Sequence, residues 1–208
     1  MERRPQHEVI LSLPEEEIRV RAFCRPDEIR RVPFDAGFAE DEHYQPLCRR
    51  EGLALAADPP DADVVLALAG GRVVGYGVLS RPKPEDRWSA LSEIMEVGAI
   101  ETSRRRRGLG IAAAVLGAMM RHPRIEDWIV IVVGYAWSWD LRGNGLDAAA
   151  YRRLMVRLFE PLGFREHATN EPNLCLKREN LFLARCGANL SDAARQRFKW
   201  LCYGQVSP

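Results

Sequence analysis

Four consecutive arginines, Arg104, Arg105, Arg106 and Arg107, stand directly before Gly108-Leu109-Gly110 and an apolar stretch with the periodicity of a helix. Cations at a helix N-terminus are unfavourable by themselves, because the helix dipole already places roughly half a positive charge there. A bound anion resolves the conflict. Glycines at 108 and 110 let a phosphate approach the backbone, the first helical N–H groups point outward, and arginine side chains surround the charge. A pyrophosphate suits that arrangement; a solvated basic loop ahead of a helix is the plainer alternative. The run is not a P-loop, since no GxxxxGK[ST] occurs. Nor is it a dinucleotide fingerprint, because Ile111-Ala112-Ala113 follows Gly110 where GxGxxG needs a third glycine.

Upstream of the arginines, Glu93 to Glu101 has the pattern of a strand. Glu96 shares a face with Ile94, Gly98 and Ile100, so a carboxylate falls where an apolar side chain is expected. Burial there would raise its pKa toward the range of a working base. The alternatives are a carboxylate at the solvated margin of a sheet or one paired with an arginine. Glu93 and Glu101 have the pattern of end-of-strand surface residues.

The elements around these residues alternate. Ile18 to Phe23 reads as a short strand, Pro26-Asp27-Glu28 as a helix start, and Glu42 to Ala57 as a helix stopped by Pro59-Pro60. Val64 to Ala69 and Val73 to Leu79 flank a Gly70-Gly71 hairpin turn. After the arginine run, a helix from about Gly108 to Arg121 places Leu109, Ala112, Ala113, Leu116 and Met120 on one face. Trp128 to Val133 is a β-branched strand of the kind buried on both faces. A helix from Asp147 to Leu162 follows, then a short strand near Phe164 to Ala168, and the tail from Arg178 to Tyr203 reads as two short helices. The expected fold is α/β, with a central mixed, mostly antiparallel sheet flanked by helices. One catalytic domain spans residues 1–172, and residues 173–208 form a helical C-terminal extension packed on it.

Composition bounds the function. With 208 residues the chain has the length of one domain. Thirty basic and twenty-nine acidic residues leave a net charge of +1, which gives no global reason to expect nucleic acid or a membrane as partner. Met1 to Gln6 is charged and contains Pro5, unlike a signal segment. Five scattered cysteines without a CxxC pair suggest reduced thiols and a cytoplasmic setting. The four histidines, at 7, 43, 122 and 167, form no ligand-spaced cluster, so no metal is expected.

Arg105-Arg106-Arg107-Gly108-Leu109-Gly110 fits the (R/Q)xxGx(G/A) signature of the GNAT acetyltransferases, and it lies after a strand as in that family. The similarity is sharper to one group within it, the acetoin-utilisation acetyltransferases of Bacillus-type bacteria. Asp86-Arg87-Trp88, Glu96-Val97-Gly98-Ala99-Ile100-Glu101, Tyr135-Ala136-Trp137-Ser138-Trp139-Asp140-Leu141, Gly143-Asn144-Gly145-Leu146 and Tyr151-Arg152 carry it. The resemblance covers roughly residues 60 to 160 well and the ends weakly.

What it implies is transfer of acetyl from acetyl-CoA to a protein lysine. In that group the protein is acetyl-CoA synthetase, which acetylation switches off. The cofactor would lie against Ala99, Ile100, Arg105, Arg106, Arg107, Gly108, Leu109, Gly110 and Ile111. A lysine amine has a pKa near 10.4, so only about one in a thousand is free at neutral pH. A base is therefore useful, and Glu96 is the candidate. Many members carry a tyrosine four residues before a helix-ending Gly-Phe, as acid toward the CoA thiolate; here Phe159 holds that position. Tyr135 is the candidate substitute, a buried backbone-bonded hydroxyl being the alternative. Trp137, Trp139 and Asp140 would line the acceptor side, rings against a lysine stem and carboxylate toward its ammonium. They read equally well as a packed aromatic cluster. Acetylation of a small amine, and binding of acyl-CoA without catalysis, remain the other functional readings; the oligomeric state is open.

Overall fold

The computed structural model describes residues 7–39, 50–59 and 62–205, so Met1 to Gln6, Cys48 and the first part of the helix expected from Glu42 lie outside the described residues. Two compact units emerge. One comprises the chain up to Ser80 together with Ala99–His122; the other comprises Arg81–Gly98 and the chain from Pro123 onward.

In the first unit, β1 (His7–Ser12) and β2 (Glu17–Ala22) form an antiparallel pair. Helices α1 (Pro26–Arg31) and α2 (Arg50–Ala56) follow. Pro26 opens α1, where its missing N–H costs nothing. The apolar runs around Gly70-Gly71 fold back as expected, β3 (Asp63–Ala69) against β4 (Arg72–Ser80), and β3 also pairs with β2. These ladders are all antiparallel. The C-terminal half of β5 (Ile94–Thr102) belongs to this unit, and the other half to the second. Ile29, Leu53, Val64, Leu66 and Tyr76 are buried together under α1 and α2.

The helix after the arginines is α3 (Ile111–Met119), which rests on β4. Its buried positions are Ile111, Val115, Leu116, Ala118 and Met119, whereas Leu109 is exposed. This corrects the face expected from the sequence. In a run where nearly every residue is apolar, periodicity does not choose between neighbouring stripes; the surface of β4 does. A Cβ at Gly75 would lie 2.6 Å from Ile111 Cγ2 and 3.2 Å from the Glu101 carbonyl oxygen, and one at Gly77 would lie 2.6 Å from Met119 Cε. The bare strand lets the helix settle onto its backbone. Gly75→Val is expected to lower stability by about 1–3 kcal/mol, as overpacking does. An unchanged melting temperature would show that α3 is not seated this closely.

In the second unit, the first half of β5 pairs in parallel with β6 (Ile129–Gly134), with Glu96 opposite Ile131. Helices α4 (Leu141–Asn144) and α5 (Ala148–Phe159) follow, then β7 (Arg165–Glu166), α6 (Pro172–Cys175), β8 (Leu181–Cys186) and α7 (Asp192–Cys202). β8 is antiparallel to both β6 and β7. The class is thus the expected one, a mixed, mostly antiparallel sheet flanked by helices. The tail differs from expectation: Leu181–Cys186 is a strand, and only α7 is the helix expected there. Six residues of mostly apolar side chains suit a buried strand as well as a helix turn, and pairing with β6 decides. Residues 173–208 therefore contain a strand of the sheet besides α7. Trp88 stacks on Phe182 at 4.5 Å between ring centres, and both are buried with Ile94, Ile131 and Phe198 of α7.

Candidate functional site

In the first unit, the arginine run forms a tight turn, Arg104–Arg106, whose base is pinned from below. The Ser103 hydroxyl, fully buried, donates to the Asp35 carboxylate, which also accepts the Gly37 N–H at 2.9 Å. Burial pushes the Asp35 pKa up, but those hydrogen bonds and the Arg106 and Arg105 charges outweigh it and hold the carboxyl below its ordinary value. Glu16 forms an ion pair with Arg106, and Arg107 Nε reaches the Thr102 carbonyl at 3.4 Å. The turn is therefore held by Asp35, Ser103 and Glu16, none of which the sequence marks: each lies apart in the chain or is an ordinary polar residue.

Gly108 and Gly110 have φ of 80° and 77°, the left-handed region that favours glycine. A Cβ on either would meet nothing within 4 Å. The backbone around them faces open space, and Gly110 is the N-cap of α3, whose first N–H groups have no partners within the helix. Such a cradle fits a phosphate group: backbone donors, a favourable dipole and arginines at its border. Ala99 and Ile100 are half-buried on β5 and Leu109 is exposed beside the glycines. Ile111 is in the core, so only its backbone is placed to serve a ligand.

In the second unit, Glu96 is half-buried on β5. Burial raises its pKa, Asp86 adds to the rise and Lys83 opposes it; the result is pushed up to about 7. Tyr135 follows β6. Burial and then the carboxylates of Glu171, Asp86 and Glu96 raise its hydroxyl to about 12, so it stays protonated at neutral pH. Its ring stacks on Trp137 at 4.5 Å, nearly parallel, and Trp137 is 45% exposed. This brings Glu96, Tyr135 and Trp137 into one neighbourhood, with Asp86 and Glu171 beside them. Asp86 belongs to the Asp86-Arg87-Trp88 block but carries no sequence sign of this role; Glu171 is brought in by the fold.

Trp139 and Asp140 are placed differently from Trp137. Trp139 is buried and stacks on Tyr151 at 5.0 Å. Asp140 is buried and its carboxylate caps α4, accepting the Gly143 N–H at 2.9 Å. Phe159 is fully buried, edge-on to Phe164. Asn180, also buried, accepts the Ala136 N–H at 2.8 Å and donates to the Asn173 carbonyl at 2.8 Å, which fixes the turn carrying Tyr135 and Trp137. Among the described residues no group of three or more histidines, cysteines or carboxylates could hold a metal ion, and no helix is long and apolar enough to cross a membrane.

No family model matches the chain. The acetoin utilization protein AcuA of Bacillus subtilis (strain 168) is 32% identical over 155 residues, 74% of this chain and 74% of that protein. Among solved structures, the acetoin utilization protein from Exiguobacterium sibiricum 255-15 superposes with a TM-score of 0.88 at 25% identity, covering 96% of this chain and 94% of that one. The GNAT domain of S. lividans PAT gives a TM-score of 0.55 at 16% identity, covering 85% of this chain and 95% of that one. The structure of yncA from Salmonella typhimurium with its cofactor acetyl-CoA gives 0.53 at 14% identity, with 85% and 95% covered. The last two show a shared fold. The chain belongs to the AcuA family of acetoin utilization proteins and shares the fold of the GNAT domain.

Proposed function

We propose that the protein moves the acetyl group of acetyl-CoA to the ε-amino group of a lysine on a metabolic enzyme, acetyl-CoA synthetase being the acceptor that the family resemblance implies. The observation that carries this reading is Glu96: a half-buried carboxylate with a pKa of about 7, near the half-buried Tyr135 ring, on which the exposed Trp137 stacks, and two further carboxylates. Negative charge there favours an ammonium, and the flat rings of Tyr135 and Trp137 suit an aliphatic stem. Glu96 then takes the proton that the amine must lose. The amine nitrogen bonds to the acetyl carbon and sheds its second proton to water, the carbon–sulfur bond breaks, and the thiolate takes a proton from the Tyr135 hydroxyl, the available donor, which water then reprotonates. The cradle at Gly108 and Gly110 supplies the place for the pyrophosphate of acetyl-CoA, a reading supported by the fold shared with a protein solved with that cofactor.

Mass spectrometry of acetyl-CoA synthetase after incubation with this protein and acetyl-CoA tests the assignment; a single modified lysine is expected. The carboxylates around Tyr135 also suit a small polyamine. Efficient acetylation of polyamines with no protein acetylation would replace the first reading by the second.

Trp137 and Trp139 separate acceptor contact from packing. Trp137→Ala removes an exposed ring and is expected to raise KM for the protein acceptor by about tenfold or more. The melting temperature should stay within a degree or two. Trp139→Ala empties a buried site and is expected to cost about 3–5 kcal/mol of stability, damaging every activity together. Equal behaviour of the two variants would show that Trp137 serves packing.

A further inference from the structure

Beside the Tyr135 turn lies a cavity of about 230 Å³ that the chemistry above does not use. Its wall includes Arg152, Glu166, Asn180, Lys177 and Arg178. Arg152 and Glu166 form an ion pair, and Arg178 pairs with Glu179. Lys177 forms no hydrogen bond or ion pair among the described residues. Three cations, Arg152, Lys177 and Arg178, thus stand against two carboxylates, Glu166 and Glu179, the latter attracted to both Arg178 and Lys177, so the cavity carries an excess of positive charge, with Thr169 and the Asn180 amide as polar neighbours. Asn180 also holds the Ala136 N–H, so the wall of this cavity is bonded directly to the turn that presents Tyr135 and Trp137.

The two charge patterns are linked by one short segment. Glu171, which acts on Tyr135, caps the N-terminus of α6 through the Leu174 N–H at 2.7 Å, and Lys177 follows its C-terminal end. Six residues of near-helical rise separate them by roughly 9 Å. An extended chain covers that span in about three residues. A surface that is acidic at one end and basic at the other, at that spacing, matches a chain with a lysine and a carboxylate side chain close together.

We propose that this cavity receives the carboxylate of an aspartate or glutamate two to four residues from the lysine to be acetylated. The inference rests on the protein-lysine reading and sharpens it into a sequence preference: Lys177 is the specificity residue, Arg178 supports the local potential, and the Asn180 clamp keeps the cavity in register with the Tyr135 turn. A polyamine has no carboxylate and gains nothing from the cavity.

Synthetic lysine peptides with Glu, Ala or Lys placed three residues from the acceptor lysine, on either side, test it. For the wild-type protein, kcat/KM should be about tenfold higher for Glu than for Ala on one side of the lysine, and lower for Lys than for Ala, with the difference shrinking in high salt. Lys177→Glu should invert the order, favouring the peptide with the flanking lysine, a result that a merely structural role would not produce. The melting temperature and its rise with CoA confirm that the variant is folded. Equal kcat/KM for the three peptides, or an unchanged order in Lys177→Glu, overturns the cavity assignment while protein acetylation stands. Absence of acetylation of every peptide and of acetyl-CoA synthetase by the wild-type protein overturns the proposed function itself.

Discussion

Glu96→Gln is expected to lower turnover at pH 7 by about two to four orders of magnitude, the usual loss on removing a general base. Glutamine keeps the shape and the strand position but cannot accept a proton, so the CoA-induced rise in melting temperature should persist. The pH dependence gives the sharper readout. With a pKa of about 7 the wild-type carboxylate ionises across the neutral range, so kcat/KM should climb with pH up to about 7 and then flatten. The variant should lack that limb and recover activity only at higher pH, as free amine accumulates. Stability should move in the opposite sense. A carboxyl whose folded pKa is raised favours folding fully below the unfolded value near 4.5, and that contribution is lost as pH rises through about 7. Above pH 7, Glu96→Gln should therefore melt higher than wild type. A variant with wild-type turnover and an unchanged pH profile would move the base elsewhere.

The second large effect is expected at the phosphate cradle. Valine at both 108 and 110 forces β-branched side chains into the left-handed region and fills the open space in front of the helix N-terminus. Acetyl-CoA at 100 times its dissociation constant should stabilise the wild-type protein by about 2.7 kcal/mol. In the double variant that shift should vanish in a thermal-melt titration, while the ligand-free protein melts cooperatively at a somewhat lower temperature. A full ligand shift in the variant would show that the pyrophosphate binds elsewhere.

Much of the architecture was legible in local pattern. The Gly70-Gly71 hairpin, the strand at 129–134 and the helix at 148–159 each combine a turn or cap signal with a clear period, and each forms within a few residues of where the pattern puts it. β1 was not legible: Val9-Ile10-Leu11 is continuous rather than alternating, and only pairing with β2 defines its faces. β8 was misread because a short apolar run carries no period of its own. The site divides along the same line. The glycines and the misplaced carboxylate of Glu96 break local rules and so announce themselves. Asp35, Ser103, Glu171 and Asn180 obey local rules and matter through partners distant in the chain. Trp139 and Asp140 show the converse, since an aromatic-acid block looked chemical in sequence while the structure gives both residues packing and capping contacts.

The bare surface of β4 under α3 has an entropic side. A glycine inside a strand gives up about 0.5–1 kcal/mol relative to alanine, because it adds freedom to the unfolded chain that folding must remove. Gly75 and Gly77 impose that loss in the strand on which α3 rests. The position of the cradle is thus secured at the expense of the unfolded ensemble. Substitutions that restrict this strand in isolation would lift α3, so the usual route of raising stability by replacing glycine is closed at both positions.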